Sequence, residues 1–109
     1  MATEVQDNDD KLRISVQATL EALLDLYWDA KTAQPSRRFD EIFDLRRAYE
    51  KAVVEYAALE GRLLKDAILT SDIDLGRFQQ VEADMKAAIK TKEILAIAAD
   101  FVKAMIRLV

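Results

Sequence analysis

The sequence predicts an all-α protein, an antiparallel three-helix bundle or a long helical hairpin with a shorter third member. Three observations point there. Apolar residues recur at spacings of three and four along most of the chain, and the composition is rich in Ala, Leu, Glu, Lys and Arg. Only two glycines and one proline interrupt 109 residues. No stretch alternates in the manner of a half-buried strand. The length suits one domain spanning 1–109, and a hydrophobic content of 51% is too high for a disordered chain. Within it, residues 1–8 read as a disordered acidic tail, followed by helices at about 9–33, 36–70 and 73–109.

In helix 1, Leu12, Val16, Leu20, Leu23, Leu26, Tyr27 and Ala30 fall in one arc and form a stripe for burial. The opposite side carries Glu21, Asp25 and Asp29 at i, i+4 and i+8. Like charges at that spacing weaken a helix by a few tenths of a kcal/mol per pair, so the ridge invites a use beyond folding. Trp28 and Ile14 point the same way. An outward Trp beside an acidic ridge has the composition of a binding hot spot. Glu21, Asp25, Trp28 and Asp29 are therefore the expected partner-binding residues, facing a basic or apolar protein surface. The competing reading has Trp28 cover the Pro35 turn or pack under the N-terminal tail.

Pro35 disfavours helix at Gln34, and Ser36 is a suitable N-cap for helix 2. Phe39, Ile42, Leu45, Tyr49, Ala52, Val53, Tyr56, Leu63 and Ala67 share one arc of that helix. Arg46 and Glu60 fall inside the arc, and a lone buried charge is costly, so each needs a partner. Antiparallel packing suggests Arg13 for Glu60, and Asp25 or Asp29 for Arg46. Arg13, Arg46 and Glu60 are thus the expected structural ion-pair residues. The doublets Arg37-Arg38 and Arg46-Arg47 could meet phosphates, but Asp40, Glu41 and Asp44 interleave with them. No aromatic-plus-basic platform of the kind single strands need is visible, and nucleic acid is not an expected partner.

A second interruption, Thr70 to Asp74, offers two competing starts for helix 3. Ser71 with Asp74 fits a capping box; Asp74 flanked by Ile73 and Phe78 fits a hydrophobic staple. Phe78, Val81, Met85, Ala88 and Ile89 then form a stripe. From Ile94 onward apolar residues cover more than half the circumference, which calls for cover on more than one side. A second subunit supplies that cover, so Ile94, Ile97, Phe101, Met105 and Leu108 are the expected self-association residues of a homodimer. The rival is a break near Lys90–Glu93 that folds the segment back as a fourth helix. With no Gly or Pro there, a sharp break lacks a sequence cause, and the continuous helix is preferred.

The chemistry this chain can perform is narrow. It has no cysteine and no histidine, which removes thiolate chemistry, the commonest metal ligands and the commonest general base. Asp72-Ile73-Asp74-Leu75-Gly76 begins like a calcium loop but has no further acid until Glu82. No cofactor, metal or catalytic residue is expected. Sixteen basic and twenty acidic residues give a net charge of −4. The excess acid lies wholly within residues 1–35, with seven acids and three bases, since 36–70 and 71–109 each balance.

Ile94–Val109 contains Asp100, Lys103 and Arg107 and falls short of the roughly 20 apolar residues of a membrane span. Nor do the first ten residues have the apolar core of a signal peptide, so the cytoplasm is the expected location. The leading functional expectation is a non-catalytic protein–protein interaction module: an adaptor, a regulatory subunit, or an immunity- or antitoxin-like inhibitor. The alternative is a small helical dimeric enzyme whose Arg13, Arg46, Arg47, Glu50 and Gln80 would cage an anionic metabolite.

Overall fold

Among the described residues the helices number four rather than three. A computed structural model describes the backbone of residues 2–33, 38–66 and 68–108, and the side chains of 8–33, 38–65 and 68–108. Among them are four helices and no strand: α1 (Ala2–Thr32), α2 (Phe39–Asp66), α3 (Asp72–Ala87) and α4 (Thr91–Leu108). The Pro35 turn, the expected Ser36 cap and Ala67 lie outside the described residues. The segment expected as an acidic tail is instead helical from Ala2.

Side-chain pairings set the direction of each helix. Gln17 meets Tyr56 while Tyr27 shares a groove with Phe39, so α1 and α2 are antiparallel. Asn8 bonds Asp72 and Ser15 bonds Glu82, so α3 runs parallel to α1. Glu41 lies beside Lys92, and Ala48 and Lys51 lie farther along beside Ala98 and Val102, so α4 runs parallel to α2. The hairpin of α3 and α4 closes with Phe78 edge-on to Phe101, ring centroids 6.4 Å apart. The helices stand around the core in the order α1–α2–α4–α3, and the link from α2 to α3 crosses the diagonal. The molecule is elongated, 53 × 22 × 18 Å, and among the described residues no helix is long and apolar enough to cross a membrane.

The expectation of one continuous helix over 73–109 is overturned at Ala88. There the backbone turns extended (φ −71°, ψ 138°), and its N–H bonds Met85 O at 3.3 Å. Helix resumes where Ile94 N–H bonds Lys90 O at 2.9 Å. The cause is a mismatch of stripes. In an unbroken helix Ile94 would sit about 160° around the axis from Phe78, so the two apolar stripes would face opposite sides. Breaking the helix lets both face one core, with Leu75, Phe78 and Met85 buried on α3 and Ile94, Ala98, Phe101 and Met105 buried on α4.

This changes what the C-terminal residues can do. Ile94, Phe101 and Met105 are fully buried within the single chain. Ile97 and Leu108 are half-buried against the same core. The cover expected from a second subunit is supplied largely by α2 and α3.

The diagonal link is held by α1. The Asp9 carboxylate accepts the Thr70 hydroxyl at 2.6 Å, Thr70 N–H at 2.8 Å and Leu69 N–H at 3.2 Å. Asn8 donates to Thr70 O at 3.1 Å and to Asp72 Oδ1 at 2.8 Å. Of the two starts available for α3, the structure uses Ser71, whose Oγ accepts Asp74 N–H at 3.1 Å.

Within this link Leu69 takes a left-handed conformation, φ +60°, with 64% of its surface exposed. An L-residue is strained there by about 1–2 kcal/mol, part of which glycine gives back through unfolded-state entropy. Leu69→Gly is accordingly expected to stabilise the protein by about 0.5–1 kcal/mol, read as a higher urea midpoint. A lower midpoint would mean that packing of the Leu69 side chain outweighs its backbone strain.

Candidate functional site

The α1–α2 hairpin positions two surfaces. The first is the ridge anticipated on helix 1: Glu21, Asp25 and Asp29 are exposed on the side of α1 turned away from the core. They take no part in the ion pairs found among the described residues, which are Arg38–Asp40, Arg46–Glu50 and Lys86–Glu82. Trp28 lies at the end of this ridge and is 48% exposed. Its ring centroid is 5.6 Å from that of Tyr27, and Lys31 Nζ stands 4.8 Å from the Trp28 ring centroid.

The second surface joins the first through Tyr27. Between the end of α1 and the start of α2 lies a groove of about 220 Å³, lined by Tyr27, Lys31, Phe39, Ile42, Phe43 and Arg46. Phe39 is 83% exposed and Phe43 48%. Helical phase places Phe39 in the apolar arc of helix 2, yet it belongs to the first turn of α2, at the end of the bundle. Cations stand over the rings: Lys31 Nζ is 6.0 Å from the Tyr27 centroid, and Arg47 Cζ is 5.9 Å from that of Phe43. Such contacts contribute about 0.5–1 kcal/mol each at exposed sites. The fold thus assembles an aromatic-plus-basic platform that is not visible along the sequence, because its members come from two helices joined end to end.

The expected ion pairs are rearranged. Arg46 bonds Glu50 one turn along the same helix at 3.0 Å, both side chains being exposed, and reaches neither Asp25 nor Asp29. Solvent satisfies both groups there, so the cross-helix pair is not needed. Arg13 and Glu60 do both lie close enough to Tyr56 to act on its charge, but no direct bridge joins them among the described residues. Burial raises the Tyr56 pKa; Gln17, donating at 2.7 Å, opposes this, while the nearby Glu60 carboxylate adds to it and the Arg13 charge opposes it. Arg13 Nε is buried without a hydrogen-bond partner.

Residues weighed for an anion cage lie apart within the chain. Arg13 faces Tyr56, whereas Arg46 lines the groove beside Tyr27. Gln80 bonds Asp84 along the surface of α3 at 2.9 Å.

On α3, Glu82 accepts from Lys86 at 2.7 Å and from Ser15 at 2.8 Å. Its carboxyl is held below the usual range by the Lys86 hydrogen bond first and the Ser15 bond second, against the opposing effect of burial. Through Ser15 it ties α3 to α1. Asp72 and Asp74, the start of the calcium-like sequence, occupy the first turn of α3.

No family model matches this chain, and neither the curated proteins nor the solved structures include one significantly similar to it.

Proposed function

We propose that this protein is a non-catalytic interaction module that engages another protein through the closed end of its α1–α2 hairpin. One observation carries the reading: Phe39 and Phe43, each about half exposed or more, line one groove with Tyr27, and the half-exposed Trp28 adjoins that groove through its ring contact with Tyr27. Burying a large aromatic side chain is among the stronger contributions to folding. A chain that leaves three of them on one surface has kept a site whose cover comes from outside. Trp, Tyr and Arg are also the side chains over-represented at binding hot spots. The partner presents an apolar anchor to the groove and a basic flank to Glu21, Asp25 and Asp29. An adaptor, a regulatory subunit and a neutralising inhibitor all work by this kind of contact.

A homodimer joined through α4 has narrower support. Of the five residues expected to build it, only Ile97 and Leu108 keep any surface to offer.

The test compares wild type with Phe39→Ser/Phe43→Ser and with Trp28→Ala. Each exposed aromatic anchor is expected to contribute about 2 kcal/mol to binding, near thirtyfold in affinity. Melting temperatures should stay close to wild type. Affinity capture from cells that make the protein should retain a partner with wild type and lose it with the double variant. A partner held equally by both sinks the proposal. So does a melting temperature that falls by many degrees, since the rings would then be part of the fold's own packing.

A further inference from the structure

Away from the aromatic end, a second groove runs along the parallel pair α2 and α4. Ala48, Ala98 and Val102 form its floor, Leu95 and Ile106 mark its length on α4, and Lys51 and Lys103 flank it from opposite helices. Leu95 and Ile106 are eleven residues apart, about 16 Å along the helix, so the space is long and narrow. Its volume is about 250 Å³.

Three features define what fits. The surface is apolar apart from the two ammonium groups, and no aromatic ring lines it. Lys51 and Lys103 make no ion pair or hydrogen bond among the described residues. In a chain of net charge −4, two unpaired cations beside an apolar floor form a local site for an anion with an aliphatic body. A second copy is the poorer occupant, since groove-to-groove contact would bring four lysines together. For size, a cavity of about 150 Å³ accepts benzene, so about 250 Å³ takes roughly ten carbons at the same ratio.

We propose that this groove binds a straight-chain aliphatic carboxylate of about ten carbons, its chain along Ala98 and Val102 and its head group between Lys51 and Lys103. The proposal is independent of the aromatic end.

Decanoate, kept below its micelle concentration, is titrated into methyl-labelled protein and followed by NMR. Saturable one-to-one binding is expected, with shifts centred on the Leu95, Ala98, Ala99 and Ile106 methyls. Decyltrimethylammonium, with a similar chain and a cationic head, should bind about tenfold more weakly. Lys51→Glu/Lys103→Glu, both exposed positions and checked for folding by circular dichroism, should reverse that preference. Phe39→Ser/Phe43→Ser should bind decanoate like wild type, which separates failure here from failure of the interaction reading. Absence of saturation, equal binding of the two head groups, or shifts centred on Phe39 and Phe43 would each overturn the proposal.

Discussion

Phe101→Ala is expected to destabilise this protein by about 3–5 kcal/mol, a large share of the roughly 5–15 kcal/mol that holds a domain of this kind folded. Phe101 is fully buried, and its ring meets Phe78 edge-on, joining α4 to α3. Truncation removes that contact and opens a cavity that four helices cannot close without shifting. Ile106, on the same helix but 49% exposed, should cost about 1 kcal/mol or less when cut to alanine.

Urea unfolding followed by circular dichroism measures both variants, with sedimentation at two protein concentrations reporting assembly. The contrast decides between two accounts of α4. If its apolar surface serves the single chain, Phe101→Ala lowers stability and the effect does not depend on concentration. If it serves an interface between copies, the same variant changes the association state while the folded chain keeps its stability. The second outcome would overturn the core assignment of Phe101.

Asp9→Ala is the second large effect, expected at about 2–4 kcal/mol. The carboxylate accepts three hydrogen bonds from Leu69 and Thr70, and Thr70 is 2% exposed. Removing it leaves a buried N–H and a buried hydroxyl without their acceptor, which costs more than the bonds themselves contribute. The link from α2 to α3 then loses its attachment to α1.

The same group gives the stability a pH dependence of definite sign. Burial tends to raise the Asp9 pKa, but the Thr70 hydroxyl and the N–H groups of Thr70, Leu69 and Ile68 outweigh it, and the net shift is downward from 3.8. Glu82 is likewise lowered from 4.5. A carboxyl whose folded pKa lies below its unfolded value stabilises the fold above the unfolded value. That contribution is lost as pH falls through the folded value. The urea midpoint of wild type should therefore fall on acidification through and below about pH 4, and Asp9→Asn, already weaker at neutral pH, should fall less. Equal acid sensitivity of the two proteins would show that Asp9 does not anchor the link.

Much of the helical content was legible because it is local. The stripe of Leu12, Val16, Leu20 and Leu23 is buried on α1, and Leu45 and Ala52 are buried on α2, as a period of 3.6 implies. The hairpin of α1 on α2 follows from the Pro35 interruption between two amphipathic segments. The acidic ridge was legible too, since nothing but helical phase is needed to put Glu21, Asp25 and Asp29 on one side. Phe39 misled the same reasoning. Its phase is apolar, but burial also needs a neighbour at that height along the axis, and among the described residues none covers the first turn of α2.

The break at Ala88 carried its signal in the displacement of one apolar stripe against the next, not in any helix-breaking residue. Such a displacement admits two resolutions, a second subunit or a fold-back, and the lack of Gly or Pro near Lys90–Glu93 tilted the sequence reading toward the first. Spacing determines how many turns of helix form and which side of each is apolar. Which side meets which neighbour depends on Asp9 with Thr70 and Ser15 with Glu82, pairs 61 and 67 residues apart. Those contacts exist only when all four helices stand around one core. The aromatic groove, the α2–α4 groove and the burial of Phe101 have the same origin: each requires side chains that no stretch of the chain brings together by itself.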